Sequence, residues 1–295
     1  MQDLISRMKI SLKLPSTVLY YIISSTALLL NSIEIYVLAQ IKHRKAYEKF
    51  LVSLSVSDIC VSLSQISILS LYYIWDENEY VMGLTTSSYF FFLVISFLHL
   101  FWICLDRLWA VVQPIQHNIF VTGRKVISLI AGTWVTVCGA GVICFTVFEI
   151  NDPNQAPREE IVAYRDKIYL AAGITIILAD FIYLVAYGLI VFTVKNKSSI
   201  ASTKSSNRTR VVVLCIAMAL SFVISSFPYA LFQLRAIPKN GEWVSILVLL
   251  NTVSNPMIYL LQTYSCKRSK ESRGQAHDAV EMKNRVKCIS TEVLV

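Results

Sequence analysis

Four acids stand inside long apolar stretches of this chain: Glu34, Asp58, Asp106 and Asp180. A carboxylate in such a setting is costly to bury as a charge, so it marks a functional group or one that a partner neutralises. Asp58 has the richest choice of partners. Asn31 and Ser96 lie on two other stretches, and Asn251 and Asn255 lie four residues apart on a third, sharing one helix face. Those oxygen donors could hold a small hard cation such as sodium, or a water cluster, or could do no more than bond helices together. Asp106 is followed at once by Arg107 at the end of its stretch. The pair reads as interfacial charges reaching for water, or as a device in which Asp106 holds Arg107 until a partner takes it. A guanidinium suits the second role, because its planar fork binds several acceptors and stays charged. Glu34 and Asp180 lack a basic partner within an apolar stretch, and read as proton or ligand sites or as protonated carboxyls bonded to a neighbour.

One further motif concerns movement. Asn255-Pro256-Met257-Ile258-Tyr259 closes the last apolar stretch. The proline removes a backbone hydrogen bond and kinks the helix; Asn255 brings polar atoms near the freed carbonyls, and Tyr259 lies one turn on, on the face of Asn255. Enzyme chemistry finds no support: there is no nucleophile elbow, phosphate loop or paired-carboxylate spacing. His99 reads as an interior histidine, and His43, His117 and His277 form no metal cluster.

These residues are carried by apolar blocks of twenty or more, in a chain of 295 residues that is 55% hydrophobic, with a mean hydropathy of +0.58. Seven such blocks, about 17–41, 50–74, 83–108, 126–149, 168–194, 211–235 and 243–263, are each long enough to cross a hydrocarbon layer of roughly 30 Å at about 1.5 Å per residue. The expected architecture is an all-α membrane protein, a seven-transmembrane-helix bundle at 17–263, between a short N-terminus (1–16) and a polar tail (264–295). Short connections make consecutive helices antiparallel neighbours. The 75–82 connection is acidic, the 195–210 connection is rich in Lys, Arg and Ser, and 150–167 reads as the longest loop. The net charge of +8 does not point to nucleic acid, because it is distributed by side: 19 of the 27 Lys and Arg fall in the segments joined to the tail. The positive-inside rule then places the N-terminus outside and the C-terminus inside, with the basic excess facing anionic lipid and a cytoplasmic partner. No cysteine falls in an outer loop, so no disulfide framework is expected. Two Asn-x-Ser/Thr matches, at Asn196 and Asn207, fall on the inner side and read as chance.

In order along the seven blocks, the residues resemble the rhodopsin-like (class A) G-protein-coupled receptors. Asn31 resembles the first-helix Asn; Leu54 with Asp58, the second-helix Leu-x-x-x-Asp; Asp106-Arg107-Leu108, the third-helix Asp-Arg-Tyr, with Pro114 in the loop after it; and Trp134, the fourth-helix Trp. Tyr187 resembles the fifth-helix Tyr, Phe222 and Pro228 the sixth-helix aromatic and kink proline, and Asn251 with Asn255 through Tyr259 the seventh-helix signature. The resemblance implies a multi-pass plasma-membrane receptor that takes a small extracellular ligand and activates a heterotrimeric G protein, with Asp106, Arg107, Tyr187, Phe222, Pro228, Asn255, Pro256 and Tyr259 in coupling. It implies no cofactor, but a sodium ion held by Asp58, Ser96, Asn251 and Asn255 as an allosteric ligand. It places the ligand among Tyr89, Phe90, Leu93, Tyr229, Gln233 and Ser245. Cys266, just past the last block, is a lipidation candidate, and phosphorylated Ser and Thr of the inner loop and tail would recruit an arrestin-type partner.

The departures are as specific. Met82 stands where the family has a Cys bonded to the second outer loop, and 150–167 holds no Cys. Ser226 stands where Cys-Trp-x-Pro has its Trp, which leaves Phe222 and Phe97 to carry the switch. Arg208 replaces the acid that would lock Arg107, and the fifth helix lacks its Pro. Tyr89 replaces the acid that anchors simple amines, and 243–263 has no Lys for a retinal Schiff base. Arg235 and the acidic residues near 75–80 read as a ligand rim or as solvated charge. Two alternatives stay open: a seven-helix transporter using Glu34, Asp58 and Asp180, which should show repeat symmetry, and a receptor-like scaffold that does not signal.

Overall fold

The computed structural model describes residues 14–42, 44–74, 79–150, 158–198, 205–234 and 243–264. The helices are α1 (Leu14–Ala39), α2 (Ala46–Ile74), α3 (Glu79–Val112), α4 (Pro114–Phe120), α5 (Gly123–Ile150), α6 (Arg158–Ser198) and α7 (Ser205–Gln233), followed by α8 (Trp243–Tyr264). All but α4 are long and apolar enough to cross a membrane, seven among the described residues. A helix satisfies its backbone groups internally, which is why such sequences span lipid as helices.

The helices run past the ends of the apolar blocks. Residues 158–167, expected as loop, open α6; residues 195–198 and 205–210 belong to α6 and α7; and α3 continues beyond Arg107 to Val112. Hydropathy measures the thickness of the apolar slab, and a helix whose last turns reach water has no reason to stop at its edge. The expectations for Cys266 and the tail, the N-terminal segment, Arg235, and the side chains of Met82, Cys144, Cys215 and Arg208 lie outside the described residues.

Each membrane helix turns one stripe inward. In α6, Asp180, Tyr183, Tyr187 and Ile190 are buried at spacings of three and four, whereas Phe181, Leu184, Leu189 and Phe192 are exposed, as a helix facing lipid on one side requires. α3 is the hub, touching α2, α4, α5, α6 and α7. Two apolar clusters fill the bundle. One, towards Arg107, holds Leu54, Ile103, Tyr187, Ile190, Phe222 and Tyr259. The other, towards Tyr89, holds Tyr20, Leu69, Leu93, Val248 and Leu249. Between them lies a polar layer.

The seam between α6 and α7 is close along its length. A Cβ on Gly173 would stand 3.0 Å from Leu234 and 3.1 Å from the Ala230 carbonyl oxygen, so a larger residue there would have to push α7 back slightly. Further along, Asp180 meets Ser226 and Tyr183 meets Phe222. The pairings keep an almost constant sum of residue numbers, as antiparallel helices in register do.

Candidate functional site

The polar layer centres on Asp58, which is fully buried. Ser96 Oγ of α3 donates to Asp58 Oδ1 at 2.6 Å, and Asn255 Nδ2 of α8 approaches Oδ2 at 3.4 Å. Three helices thus converge on one carboxylate, because α2, α3 and α8 each place a small polar residue on the inward stripe. Asn251 lies a turn away on α8. The amide oxygens of Asn251 and Asn255 are buried and have no hydrogen-bond partner among the described residues. Orphaned acceptors beside a buried carboxylate form an all-oxygen donor set, which suits a hard monovalent cation or ordered water.

Asn31 does not reach Asp58. Its Nδ2 donates to the carbonyl oxygens of Ala27 (2.8 Å) and of Thr252 on α8 (2.9 Å). The second contact has a clear cause. Pro256 has no N–H, so the carbonyl four residues earlier, that of Thr252, loses its helical donor. The first helix supplies the missing hydrogen bond to the kink, a role the sequence reading gave to Asn255.

The other intramembrane acids also have partners. Ser55 Oγ donates to Glu34 Oε2 at 2.9 Å, joining α1 to α2. Ser226 Oγ contacts Asp180 Oδ1 at 2.7 Å and is also 2.8 Å from the Phe222 carbonyl, joining α7 to α6. Ser226 stands where the resembled family has its Trp, so a small hydroxyl takes a large ring's place and bonds across the seam. Phe222, beside it, is fully buried and meets Phe97 edge-on at 4.8 Å and Tyr183 at 5.0 Å. The ring cluster expected from Phe97 and Phe222 exists, with Tyr183 as an unforeseen third member; Tyr183 also donates to the Phe97 carbonyl at 3.0 Å.

At the Arg107 end, Asp106 accepts from Arg107 Nε at 2.9 Å and from a second guanidinium nitrogen. The same carboxylate accepts from His117 Nε2 at 2.8 Å. His117 sits on α4, which opens with Pro114 in its first turn, where proline's missing N–H does no harm. The Arg107 guanidinium lies 4.3 Å from the centre of the Tyr47 ring, a cation–π geometry. Tyr47 in turn donates to Glu48 Oε1 at 3.0 Å. Tyr187 and Tyr259 are buried in the same apolar cluster as Tyr47 and Phe222. The pairing of His117 with Asp106 escaped the sequence reading because eleven residues and a helix break separate them; only the fold of α4 against α3 brings them together.

Towards the other end, Leu93 is buried, and Tyr89 and Tyr229 pack partly buried against its cluster. Phe90 is exposed and meets the Tyr89 ring edge-on at 5.6 Å. Gln233 and Ser245 are half-buried. Trp134 Nε1 donates to Ser53 Oγ at 2.9 Å, tying α5 to α2. No group of three or more His, Cys, Asp or Glu side chains gathers among the described residues.

The family model described as 7 transmembrane receptor (rhodopsin family) matches residues 30–259. The chain belongs to this family. It is a rhodopsin-family receptor by sequence and by its seven membrane helices, a multi-pass protein of the plasma membrane. Among similar proteins, cysteinyl leukotriene receptor 1 of Homo sapiens is 24% identical over 229 residues, covering 72% of this chain and 66% of the relative. Its Mus musculus counterpart is 23% identical, covering 72% and 63%. The 5-hydroxytryptamine receptor 2C of Homo sapiens is 33% identical over 131 residues, covering 38% of this chain and 29% of the relative. The matched region is thus under two thirds of the length of these relatives.

Proposed function

We propose that this rhodopsin-family protein binds a small extracellular ligand and activates a heterotrimeric G protein. The observation that carries the reading is the arrangement at the Arg107 end. A guanidinium is held by a neighbouring carboxylate and a tyrosine ring, next to a cluster that contains Tyr187 and Tyr259. Such a group is restrained yet transferable. The polar layer around Asp58 and the ring cluster of Phe97, Tyr183 and Phe222 lie between it and the Tyr89 end. Ligand action is then a shift between two states, limited by the ligand's differential affinity for them, and the coupling is reciprocal. The relatives are named for cysteinyl leukotrienes and for 5-hydroxytryptamine, which supports a small-molecule ligand. The distribution of basic residues supports an outward N-terminus and an inward Arg107 end. The inner loop and tail are assigned to an arrestin-type partner, and Cys266 and the basic segments to membrane lipid.

The test is nucleotide exchange by purified G-protein trimers on receptor-containing membranes, screened with a small-molecule library, alongside substrate flux in proteoliposomes. Ligand-stimulated exchange without flux supports the receptor; flux without exchange supports a transporter.

Sodium is proposed as an allosteric ligand of the resting state, held by Asp58, Ser96, Asn251 and Asn255. The bound ion would neutralise the buried carboxylate. Asp58→Asn is expected to abolish the sodium dependence of ligand affinity; sodium dependence equal to that of wild type rejects the site.

Ser226 and Asp180 are proposed to clasp the α6–α7 seam in the resting state. Ser226→Ala removes a bond to a buried carboxyl, a loss of about 1–3 kcal/mol. If that loss falls mainly on the closed seam, basal nucleotide exchange rises several-fold, measured without ligand at matched surface expression. Unchanged or reduced basal exchange would show that the bond does not restrain the seam.

A further inference from the structure

His117 is the one titratable side chain of α4, and it stands on the carboxylate that holds Arg107. Its Nε2 is 2.8 Å from Asp106 Oδ1, while Arg107 occupies Oδ2. The carboxylate side chain is 4% exposed, and the imidazole and guanidinium side chains are each 12% exposed, so water and salt screen their mutual charges only weakly. Rings hold α4 against this group. Trp109 of α3 meets the His117 ring edge-on at 6.0 Å and stacks on Phe120 at 6.4 Å. The other charged and titratable groups nearby have other contacts. Tyr47 of α2 lies against the guanidinium and donates to Glu48. Lys125 of α5 lies over Phe120, and Lys49 of α2 reaches Gly123 at the start of α5. Of all these groups, Asp106 is the one bonded to the imidazole.

One carboxylate thus serves two donors, and only one of them can change its charge. Arg107 is a cation throughout the physiological range. Histidines gain or lose their charge between about pH 5 and 8. The neutral ring donates from Nε2, so an added proton goes to Nδ1. It leaves the contact in place and turns a neutral hydrogen bond into a charge-assisted ion pair. The consequence falls on the departure of Arg107. Beside a neutral ring, a withdrawing guanidinium leaves a buried carboxylate with an uncharged donor alone, which is costly. Beside an imidazolium, the carboxylate keeps a counter-ion. Before withdrawal, moreover, two cations crowd one anion. Both effects favour release. The sign is fixed by linkage: loss of the neighbouring cation strengthens the ring's hold on its proton, so acid shifts the balance towards the released state.

We propose that His117 is a positioning residue of the coupling site, through which a proton from the inner aqueous phase loosens Arg107 from Asp106. This rests on reading Arg107 as the group offered to the G protein. It makes the output of the receptor respond to acidity on the cytoplasmic side.

The test uses full-length receptor in lipid nanodiscs with purified G-protein trimer. Exchange without ligand is read at about pH 8 and about pH 6, the span in which histidine charges, and exchange by trimer on empty nanodiscs is subtracted at each pH. Wild type is expected to gain about fivefold or more at the lower pH, the low end of allosteric couplings. His117→Gln keeps a donor for Asp106 but takes no charge, and its exchange is expected to stay at the basic-pH level of wild type. His117→Arg carries a permanent charge and is expected to stay at the acid-pH level. A second readout needs no G protein. Trp109 lies beside the ring, and an imidazolium quenches indole emission. The fluorescence of wild type, less that of either His117 variant, should fall on acidification, and on an Arg107→Ala background the same difference should fall at higher pH. Wild-type exchange that is flat, or that declines towards acid, overturns the proposal. So does an acid rise retained in His117→Gln, which would place the proton on another group, and so does an equal fluorescence midpoint with and without Arg107. If no receptor form drives exchange at either pH while the midpoint still moves with Arg107, the proton linkage stands and the G-protein reading fails.

Discussion

Receptor carrying Arg107→Ala is expected to bind ligand and yet drive almost no nucleotide exchange. The guanidinium is held by Asp106 and lies over Tyr47, far along α3 from the Tyr89 end, so its loss leaves the ligand half of the bundle unaltered. Asp106 keeps His117 as a partner, so no buried carboxylate is stranded and the fold survives. What disappears is the group offered to the partner. Allosteric coupling in proteins is worth about 1–3 kcal/mol, or roughly 5–150-fold, and ligand-stimulated exchange should fall by at least that factor. The measurement is exchange with purified trimer at saturating ligand, with ligand affinity determined in parallel. Exchange retained at wild-type rate would remove Arg107 from the mechanism.

Phe222→Ala should be the most damaging single truncation in the bundle. The ring is fully buried and meets rings from α3 and α6. Removing it leaves a cavity where three helices join, at a cost of about 3–5 kcal/mol. Phe227, on the same helix, is exposed; its truncation serves as control and should cost within about 0.5 kcal/mol. Unfolding in nanodiscs reads both. Similar losses for the two variants would mean that the ring cluster does not organise the helices.

Much of this was legible in advance because lipid makes sequence unusually explicit. Where every face is apolar, a polar residue stands out, and Asp58, Ser96 and Asn255 meet as their isolation suggested. The number of membrane helices followed from the same contrast; the short α4 did not. The serine partners of Glu34 and Asp180, and the histidine that joins Arg107 on Asp106, were not legible. Serine and histidine are ordinary in their own surroundings, and nothing local distinguishes Ser226 from Ser225 until α6 lies beside α7. Asn31 shows the limit most clearly. Its intramembrane position was evident, but its task, filling a carbonyl that a proline two hundred residues away leaves open, is a property of the packed pair alone. Helix ends were misjudged for a different reason, since water rather than sequence apolarity decides where the last turns stop.

The carboxylate of Asp106 has two tenants, Arg107 from its own helix and His117 from α4. When the arginine departs to a partner, the histidine can stay. The connecting segment between α3 and α5 then need not be ordered at the moment of encounter, because its anchor does not depend on the group being handed over. The conformational entropy of that segment is settled before docking, and the partner meets a platform already in place. On this view the speed of engagement is governed by collision and orientation rather than by a folding step at the interface.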